Sequence, residues 1–589
     1  MLRALAPCLV LTLFAATTCH ESAGAATRSE NVLIILADDL GVDFVGGYGE
    51  GSDPAPTPTI DGLLANGVFF RNAWANPSCS PTRACIQTGQ YPFRTTVGRW
   101  IDYPHNTNTI GTLRATEVTI PEVLDRDDGG YAHGFIGKWH MSYQSQGLDV
   151  PNDAGWSHYS GALDGQVPSY TDWQHVVNGA VSTSNNYITT QQVDDTISWV
   201  TAQSGPWLCT LSFVAPHLPM HVPPAHLHSQ NLSGVPITNS SRPHYKALIE
   251  AMDTEMARLF QTLGPSVMAN TNVIFLGDNG SVQNMAAPPF LGGKAKGSPY
   301  EGGLNVPLII SGPAVVNPGR EVADLASAVD VFDTALDLAG ATDAIPVWLE
   351  TDGVSLVPYV TDSAVGPART YAYSEQFNGT AWPAPLSSGH ATIRNDRFKL
   401  IQRMTQADEL YDLQTDPWEQ SNLLTGALSS LQQQNFDDLV AQIAALRAQE
   451  ATAVPYGSSS CVGSNGKIPT IQALGTPKLG ALYGVSVQDG VPNGSALHLL
   501  GFDALAYGGA PLPLDLGSPA GACTLLTAPQ LITPIPTFFQ GDAYIVGTVP
   551  VVQSLVGARI FHQWAMLDPA ASNGLGFVTT AAIAGQLGS

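Results

Sequence analysis

The chain has 589 residues, 44% of them hydrophobic and only 12% charged, against about 25% charged in an average soluble protein. Lys and Arg number 24 and Asp and Glu 49, giving a formal charge of −25. This excludes the basic face of a nucleic-acid binder and docking on anionic lipid through basic residues. The apolar content excludes a disordered chain.

In chain order, residues 1–26 read as a cleaved export signal. Met1-Leu2-Arg3 is a positive n-region, Leu5 to Thr18 is mostly apolar, and Ser22 to Ala26 offers a small-residue cleavage site. The apolar stretch is too short to span a bilayer, and no later segment approaches about 20 apolar residues. The expectation is a secreted or periplasmic protein with no transmembrane segment. Lipid attachment at Cys19 fits badly, because Ala16-Thr17-Thr18 makes a poor lipobox. Loss of the signal leaves Cys79, Cys85, Cys209, Cys461 and Cys523. That is an odd number, so at least one stays outside any internal disulfide.

Asn31–Ala37, Trp207–Val214 and Asn272–Leu276 are continuous apolar runs, as in parallel strands covered on both faces. Leu248, Met252, Met256, Leu259 and Leu263 fall at helical spacing, and Gly264 ends that helix. Val329–Ala339 and Leu428–Leu446 are further helices, and Glu409–Leu413 with Thr415–Glu419 is a compact strand and turn. Strands alternating with helices predict an α/β fold with a mostly parallel sheet flanked by helices. Beyond about Glu450 charges become few, and short apolar runs such as Ala543–Val546 lie between Gly and Pro turns, the pattern of an all-β sandwich-like tail. Cys461 and Cys523 are the tail's only cysteines. They form either a disulfide, in an oxidising compartment, or two buried thiols. Phe561 and Trp564 either stack on sugars or belong to the tail's core.

Ligands of a parallel sheet bind beyond the carboxyl ends of its strands. Four strands here end in reactive side chains. The first delivers Asp38 and Asp39. Tyr131–Ile136 delivers Lys138 and His140. The strand before Pro216 delivers His217, and the fourth delivers Asp278 and Asn279. Taken singly, each carboxylate pair reads as a turn or cap, Lys138 as a solvated strand end and His140 as a core histidine. Together they make one edge. Three carboxylates and an amide are a hard, oxygen-only set suited to Ca²⁺ or Mg²⁺ rather than zinc. The Pro-rich loop with His217, His221, His226 and His228 also fits a soft-metal site.

The most specific stretch is Cys79-Ser80-Pro81-Thr82-Arg83-Ala84-Cys85-Ile86-Gln87-Thr88-Gly89. It resembles the sulfatase signature C-x-P-S-R-x-x-L-x-T-G, with Thr82 and Ile86 as conservative departures. Leu36 to Gly41, Gly137-Lys138-Trp139-His140, Ala215-Pro216-His217, Asp278-Asn279-Gly280 and Lys296 with Tyr300-Glu301-Gly302-Gly303 match further sulfatase motifs in the family's order. Met141-Ser142 departs from the common Leu-Gly. The four-residue spacing to Tyr300 favours Lys296 over its neighbour Lys294. The resemblance covers roughly Asn31 to Leu424.

It implies an alkaline-phosphatase/sulfatase-like fold. The catalytic α/β domain would span 27–345, a smaller C-terminal α+β subdomain 346–450, and a β-rich accessory domain 451–589. It implies that Cys79 is oxidised to formylglycine by a formylglycine-generating enzyme, which accounts for the odd cysteine. Asp38, Asp39, Asp278, Asn279 and position 79 would hold Ca²⁺, with Mg²⁺ as the other candidate. Arg83 and Lys138 would fix position 79 and balance its charge, and His140 would hydrogen-bond it. His217 and Lys296 would bind the sulfonate and assist departure of the alcohol. The function expected is hydrolysis of a sulfate monoester, on a glycan or a small aryl or alkyl alcohol. Two alternatives stand beside it: a phosphodiesterase or phosphonate monoester hydrolase on the same scaffold, and a non-catalytic glycan-binding protein with Cys79 unconverted. Substrate choice would lie in loops such as Arg99–Arg114 and Pro151–Asn186.

Overall fold

The computed structural model describes residues 31–588 except 102–110, 115–116, 128, 291–292, 379–388, 449–451, 517–522, 539–540, 553–554 and 572–574. The expected export signal and most of 99–110 lie outside the described residues.

Ten strands form the main sheet: β1 (Asn31–Ala37), β2 (Gly67–Trp74), β3 (Ala132–Lys138), β4 (His158–Ala162), β5 (Trp173–Val177), β6 (Ala180–Ser184), β7 (Trp207–Ser212), β8 (Thr271–Gly277), β9 (Leu308–Ser311) and β10 (Arg320–Ser327). Their order is β10-β2-β9-β8-β1-β7-β3-β4-β5-β6. The inner strands β8, β1, β7, β3 and β4 run parallel. β9 pairs antiparallel with both neighbours, and β5 and β6 close the other side antiparallel. The inner strands are therefore the parallel core that the apolar runs predict. β6, with the sequence Ala-Val-Ser-Thr-Ser, is mostly exposed and carries no such run.

All seven residues of β1 are buried, and alternation sends them to two cores. Val32, Ile34 and Leu36 pack with Val123 and Leu124 of the helix Ile120–Arg126 and with Phe332 and Leu336 of the helix Asp330–Leu338. Leu33, Ile35 and Ala37 pack with Leu248, Met252 and Met256 of the helix Arg242–Met268. Each such side chain contributes roughly 1.5–3 kcal/mol of burial. The long helix breaks at Gly264, whose φ of 76° is non-helical, and Pro265 starts its last turn, where a missing N–H costs nothing.

Residues 372–412 form an antiparallel sheet of β11 (Ala372–Phe377), β12 (Gly389–Arg394), β13 (Phe398–Arg403) and β14 (Glu409–Asp412), covered by the helix Ser430–Arg447. Beyond it lie a five-stranded and a three-stranded antiparallel sheet, with two short two-stranded pairs. Between them sit the Cys461–Cys523 disulfide and the fully buried Trp564. Phe561 packs edge-on against Trp348 at 5.0 Å and against the tail's own Tyr456 at 5.8 Å, joining the tail to the core cluster beneath the main sheet. Both tail aromatics are thus core, and the sugar-stacking alternative for them falls. Among the described residues, no helix is long and apolar enough to cross a membrane.

Candidate active site

The register sets the site. Ala37 pairs with Gly277, Leu36 with Ser212, and Ser212 with Gly137, so β1, β8, β7 and β3 end level. The ladder continues past the strands: Asp38 N donates to Ala215 O at 3.1 Å, and Asp278 N to Ala37 O at 3.0 Å. The chain then turns sharply. Asp39 and His140 sit in the left-handed region at φ 72° and 55°, where backbone strain is held by its surroundings. The helix Cys79–Thr88 is buried throughout. The Thr82 hydroxyl, in place of the signature serine, accepts from Asn76 N at 2.9 Å and braces the turn before Cys79.

Three carboxylates meet three cations on this edge. Arg83 clasps Asp278 Oδ2 with Nη2 at 2.7 Å and Nε at 3.1 Å, while its Nη1 donates to Lys138 O at 2.9 Å and Ser212 Oγ at 2.5 Å. Lys138 Nζ donates to Asp38 Oδ2 at 2.5 Å, and Lys296 Nζ donates to Asp39 Oδ1. Asn279 Nδ2 donates to Asp39 Oδ1 at 2.8 Å. Asp38 Oδ1 and Asn279 Oδ1 are left buried with no hydrogen-bond donor. Ligand atoms of Asp38, Cys79 and Asp278 lie within 4.8 Å of one another, as do those of Asp38, Asp39 and His217. Unpaired buried oxygens are costly unless a cation meets them, and this donor set fits a hard divalent ion. Among the described residues no group of three metal-ligating side chains forms in the His221–His228 loop, so the soft-metal alternative there is not supported.

Burial, joined by the charges of Asp278 and Asp39 and opposed by Lys138, pushes the Asp38 carboxyl well above its ordinary value. Burial raises Asp39 too, but Lys296, His217 and Lys138 outweigh it and hold that carboxyl below the usual range. Burial raises the Cys79 thiol despite Lys138 and Lys296. A thiol in that state is a poor nucleophile. His217 is pushed down to about 3 by burial, with Lys296 and Lys138 adding to the effect against Asp39. Burial and Lys138 likewise hold His140 well below its ordinary value. Burial lowers Lys296, but Asp39, with the other negative groups around it led by position 79 and Asp38, outweighs burial, raises it and keeps it an ammonium.

His140 Nε2 lies 3.0 Å from Ile101 O, so in the neutral ring Nε2 carries the proton. Nδ1 is then a buried acceptor with no partner. His217 Nδ1 lies 2.9 Å from Leu218 O, and its Nε2 is 3.7 Å from Asp39. Above these groups lies a cavity of about 410 Å³, lined by Asp39, Cys79, His140, His217 and Lys296 among others.

Every site residue expected from the sequence is brought to this one edge. Lys294 points elsewhere, donating to Trp418 O at 3.1 Å and to Glu419 O, so Lys296 is the lysine of the site. Cys79 and Cys85 are both free thiols. Sequence reasoning missed Ser212, which bridges Arg83 and Lys138 O at the end of β7; the strand-end rule itself would have found it. It also missed Gly165. A Cβ there would stand 2.1 Å from His140 Nε2, so only glycine lets that loop close on the imidazole.

The sulfatase family model matches residues 30–341, and a second, N-sulphoglucosamine sulphohydrolase, C-terminal, matches 295–449. N-acetylgalactosamine-6-sulfatase of Sus scrofa is 30% identical over 364 residues, covering 56% of this chain and 66% of that protein. The chain thus spans just under two thirds of that relative's length. Arylsulfatase A of Bos taurus is 28% identical over 504 residues, 77% of this chain and 94% of that protein. Among solved structures, Ps i-CgsB in complex with k-i-k-neocarrahexaose is similar with a TM-score of 0.59 and 25% identity, covering 70% of this chain and 92% of that one.

Proposed function

This chain belongs to the sulfatase family, and from that premise we propose that it hydrolyses a sulfate monoester to an alcohol and inorganic sulfate. The nucleophile would be formylglycine made from Cys79 by a converting enzyme, with a divalent cation beside it. The observation that carries this is the pair of buried, donorless oxygens, Asp38 Oδ1 and Asn279 Oδ1, in a carboxylate cluster whose Asp38 and Asp278 ligand atoms lie within 4.8 Å of the Cys79 sulfur. Asp38, Asp39, Asp278 and Asn279 would hold the cation, and Ca²⁺ suits them better than Mg²⁺. Asp38, Asp278 and Asn279 are fully buried, and Mg²⁺ prefers to keep its waters. When bound, the cation and the aldehyde hydrate together supply an activated oxygen nucleophile for sulfur.

The chain's own groups do the rest. Arg83, Lys138 and Lys296 balance Asp38, Asp39 and Asp278 in formal charge, so a divalent ion makes the pocket net positive for an anionic ester. Lys296, held as an ammonium, binds the sulfonate. His217 is neutral in the empty pocket, and a bound anion favours its protonation; we assign it as the acid for the departing alcohol. His140, with its tautomer set by Ile101 O, accepts a proton at Nδ1 from position 79 when sulfate is released.

The proposed limits are 27–345 for the site-bearing domain, 346–450 for the subdomain and 451–589 for the accessory domain. An exported protein is supported by the Cys461–Cys523 disulfide. Matched assays on 4-nitrophenyl sulfate and 4-nitrophenyl phosphates test the reaction class. Sulfate release should dominate, and dominant phosphoester hydrolysis would overturn the proposal.

A further inference from the structure

We propose that Tyr170 is the positioning residue of His217: its buried hydroxyl holds the backbone of the turn that carries this histidine, and protonation of the departing alcohol depends on it. The proposal rests on the sulfatase function above, in which His217 is the acid. Tyr170 itself is not among the residues lining the cavity.

The turn needs such a support. β7 ends at Ser212. Phe213 N still donates to Leu36 O at 2.9 Å, and Ala215 O still accepts from Asp38 N. Beyond Pro216 the chain leaves the sheet, and side chains meet its carbonyls. The Tyr170 hydroxyl lies 2.7 Å from His217 O and 3.1 Å from Val214 O. Carbonyls only accept, so one phenol hydrogen is shared between the two ends of the turn. Further on, His221 Nδ1 donates to Pro219 O at 3.0 Å, which leaves its Nε2 to accept from Tyr187 Oη at 3.2 Å. The Tyr170 and His221 rings pack with centres 4.1 Å apart. The brace is anchored at the start of the helix Ile188–Thr201, where Ile188 N donates to Tyr170 O at 2.8 Å and Tyr187 is the preceding residue.

This decides where the proton of His217 can go. His217 Nδ1 donates to Leu218 O at 2.9 Å, so Nε2 is the nitrogen left for the cavity. That bond closes within the turn and sets the ring only against its own backbone. The Tyr170 hydroxyl ties that backbone to the packed body of the protein. Burial, joined by Tyr187, Asp38 and Asp39, holds the phenol well above its ordinary value, so it stays a donor. A general acid acts only within hydrogen-bond reach of the leaving oxygen, and a displacement of about 1 Å can cost about a hundredfold in rate.

The test uses the purified, formylglycine-containing protein with Ca²⁺ and two esters of similar shape, 4-nitrophenyl sulfate and phenyl sulfate. Phenol is the weaker acid, so its departure leans more on a proton from His217. Tyr170→Phe should lower kcat about 10- to 100-fold on phenyl sulfate and only about a few-fold on 4-nitrophenyl sulfate, with KM within about twofold on both. In a His217→Ala background the same change should cost less than about twofold, because a group acting through His217 has nothing left to position. Equal losses on both esters, or an undiminished loss in His217→Ala, mark a merely structural tyrosine and overturn the proposal. Independently of turnover, hydrogen–deuterium exchange should quicken in residues 213–221 of Tyr170→Phe and stay unchanged in β1; an unchanged 213–221 segment also overturns it. Should Tyr170→Phe not fold, Tyr187→Phe, which frees only the far end of the brace, should give the same order of losses on a smaller scale, and equal losses there overturn the proposal too. If His217→Ala discriminates between the esters and Tyr170→Phe does not, this proposal alone fails. If the wild type releases sulfate from neither, the sulfatase function fails and takes this proposal with it.

Discussion

Two buried ionic clusters in this molecule have the same balance of charge and different fates. One is the edge of Asp38, Asp39, Asp278, Arg83, Lys138 and Lys296. The other joins the main sheet to the β11–β14 sheet. There Lys399 Nζ lies 3.0 Å from Glu301 Oε1 and 2.6 Å from Glu419 Oε1, Arg394 Nη1 is 3.4 Å from Glu301 Oε2, and Glu301 N donates to Glu419 Oε2 at 2.7 Å. Trp74 Nε1 adds a donor to Glu301 Oε2 at 3.3 Å. Each carboxylate oxygen of that cluster has a cation or an N–H of the chain beside it. Glu419 Oε1 of that cluster also lacks a hydrogen bond but has Lys399 Nζ at 2.6 Å, whereas on the site edge Asp38 Oδ1 has Arg83 Nη2 only at 3.8 Å and Asn279 Oδ1 has no donor. Burial and charge count alone do not separate a structural ion cluster from a ligand cradle; how closely a cation meets each oxygen that lacks a hydrogen bond does.

The contrast is sharpened first at Cys79. Cys79→Ala should cost a factor of about 10³ or more in sulfate release and leave the melting temperature within a few degrees. Retained turnover would show that position 79 is not the nucleophile. Lys399→Met should behave in the opposite manner. It leaves Glu301 and Glu419 buried without their shared cation, at a cost of about 3–5 kcal/mol, read by denaturant unfolding. A loss below 1 kcal/mol would deny that cluster its structural role.

Calcium gives a smaller separation. At a hundredfold of its Kd it should stabilise the wild type by about 2.7 kcal/mol. Asp278→Asn should lose that gain and Lys399→Met should keep it; equal gains in both would move the ion away from this edge. Smaller again is a pH effect. Burial pushes Glu419 up to about 7, with the Glu301 charge adding and Lys399 opposing. A raised carboxyl contributes stability below its unfolded value, near 4.5, and loses it as pH rises through about 7. Thermal stability should fall between pH 5 and 8 in the wild type and fall less in Glu419→Gln. An identical slope would place the titration elsewhere. The smallest effect is screening. With a formal charge of −25, added salt should raise kcat/KM on a sulfated polymer a few-fold, and no response would contradict it.

Much of this was legible in the sequence, because β1 packs both faces and so writes an unbroken apolar run that ends at Asp38. The same logic located β7 and β8, and Gly264 announced its own helix break. β5 and β6 were illegible: β6 is mostly exposed, and β5 buries only Trp173 and Val176, so neither carries a period that burial enforces. Ser212 was passed over because the apolar run was drawn on to Val214, which put this strand-end hydroxyl inside the run instead of at its end. The placement of Ile101 beside His140 depends on bonds that reach 21 and 39 residues along the chain, and no local spacing encodes those. Gly165 is explained only by its approach to His140 in space.

The central claim is that this edge is a sulfatase site built around a converted Cys79. The most direct measurement pairs mass analysis of the tryptic peptide Asn72–Arg83 with inorganic sulfate release from the same preparations. Across preparations of differing conversion, turnover should rise in proportion to the fraction of peptide carrying an aldehyde in place of the thiol. Full turnover with the thiol intact, or none with conversion complete and Ca²⁺ present, would contradict it.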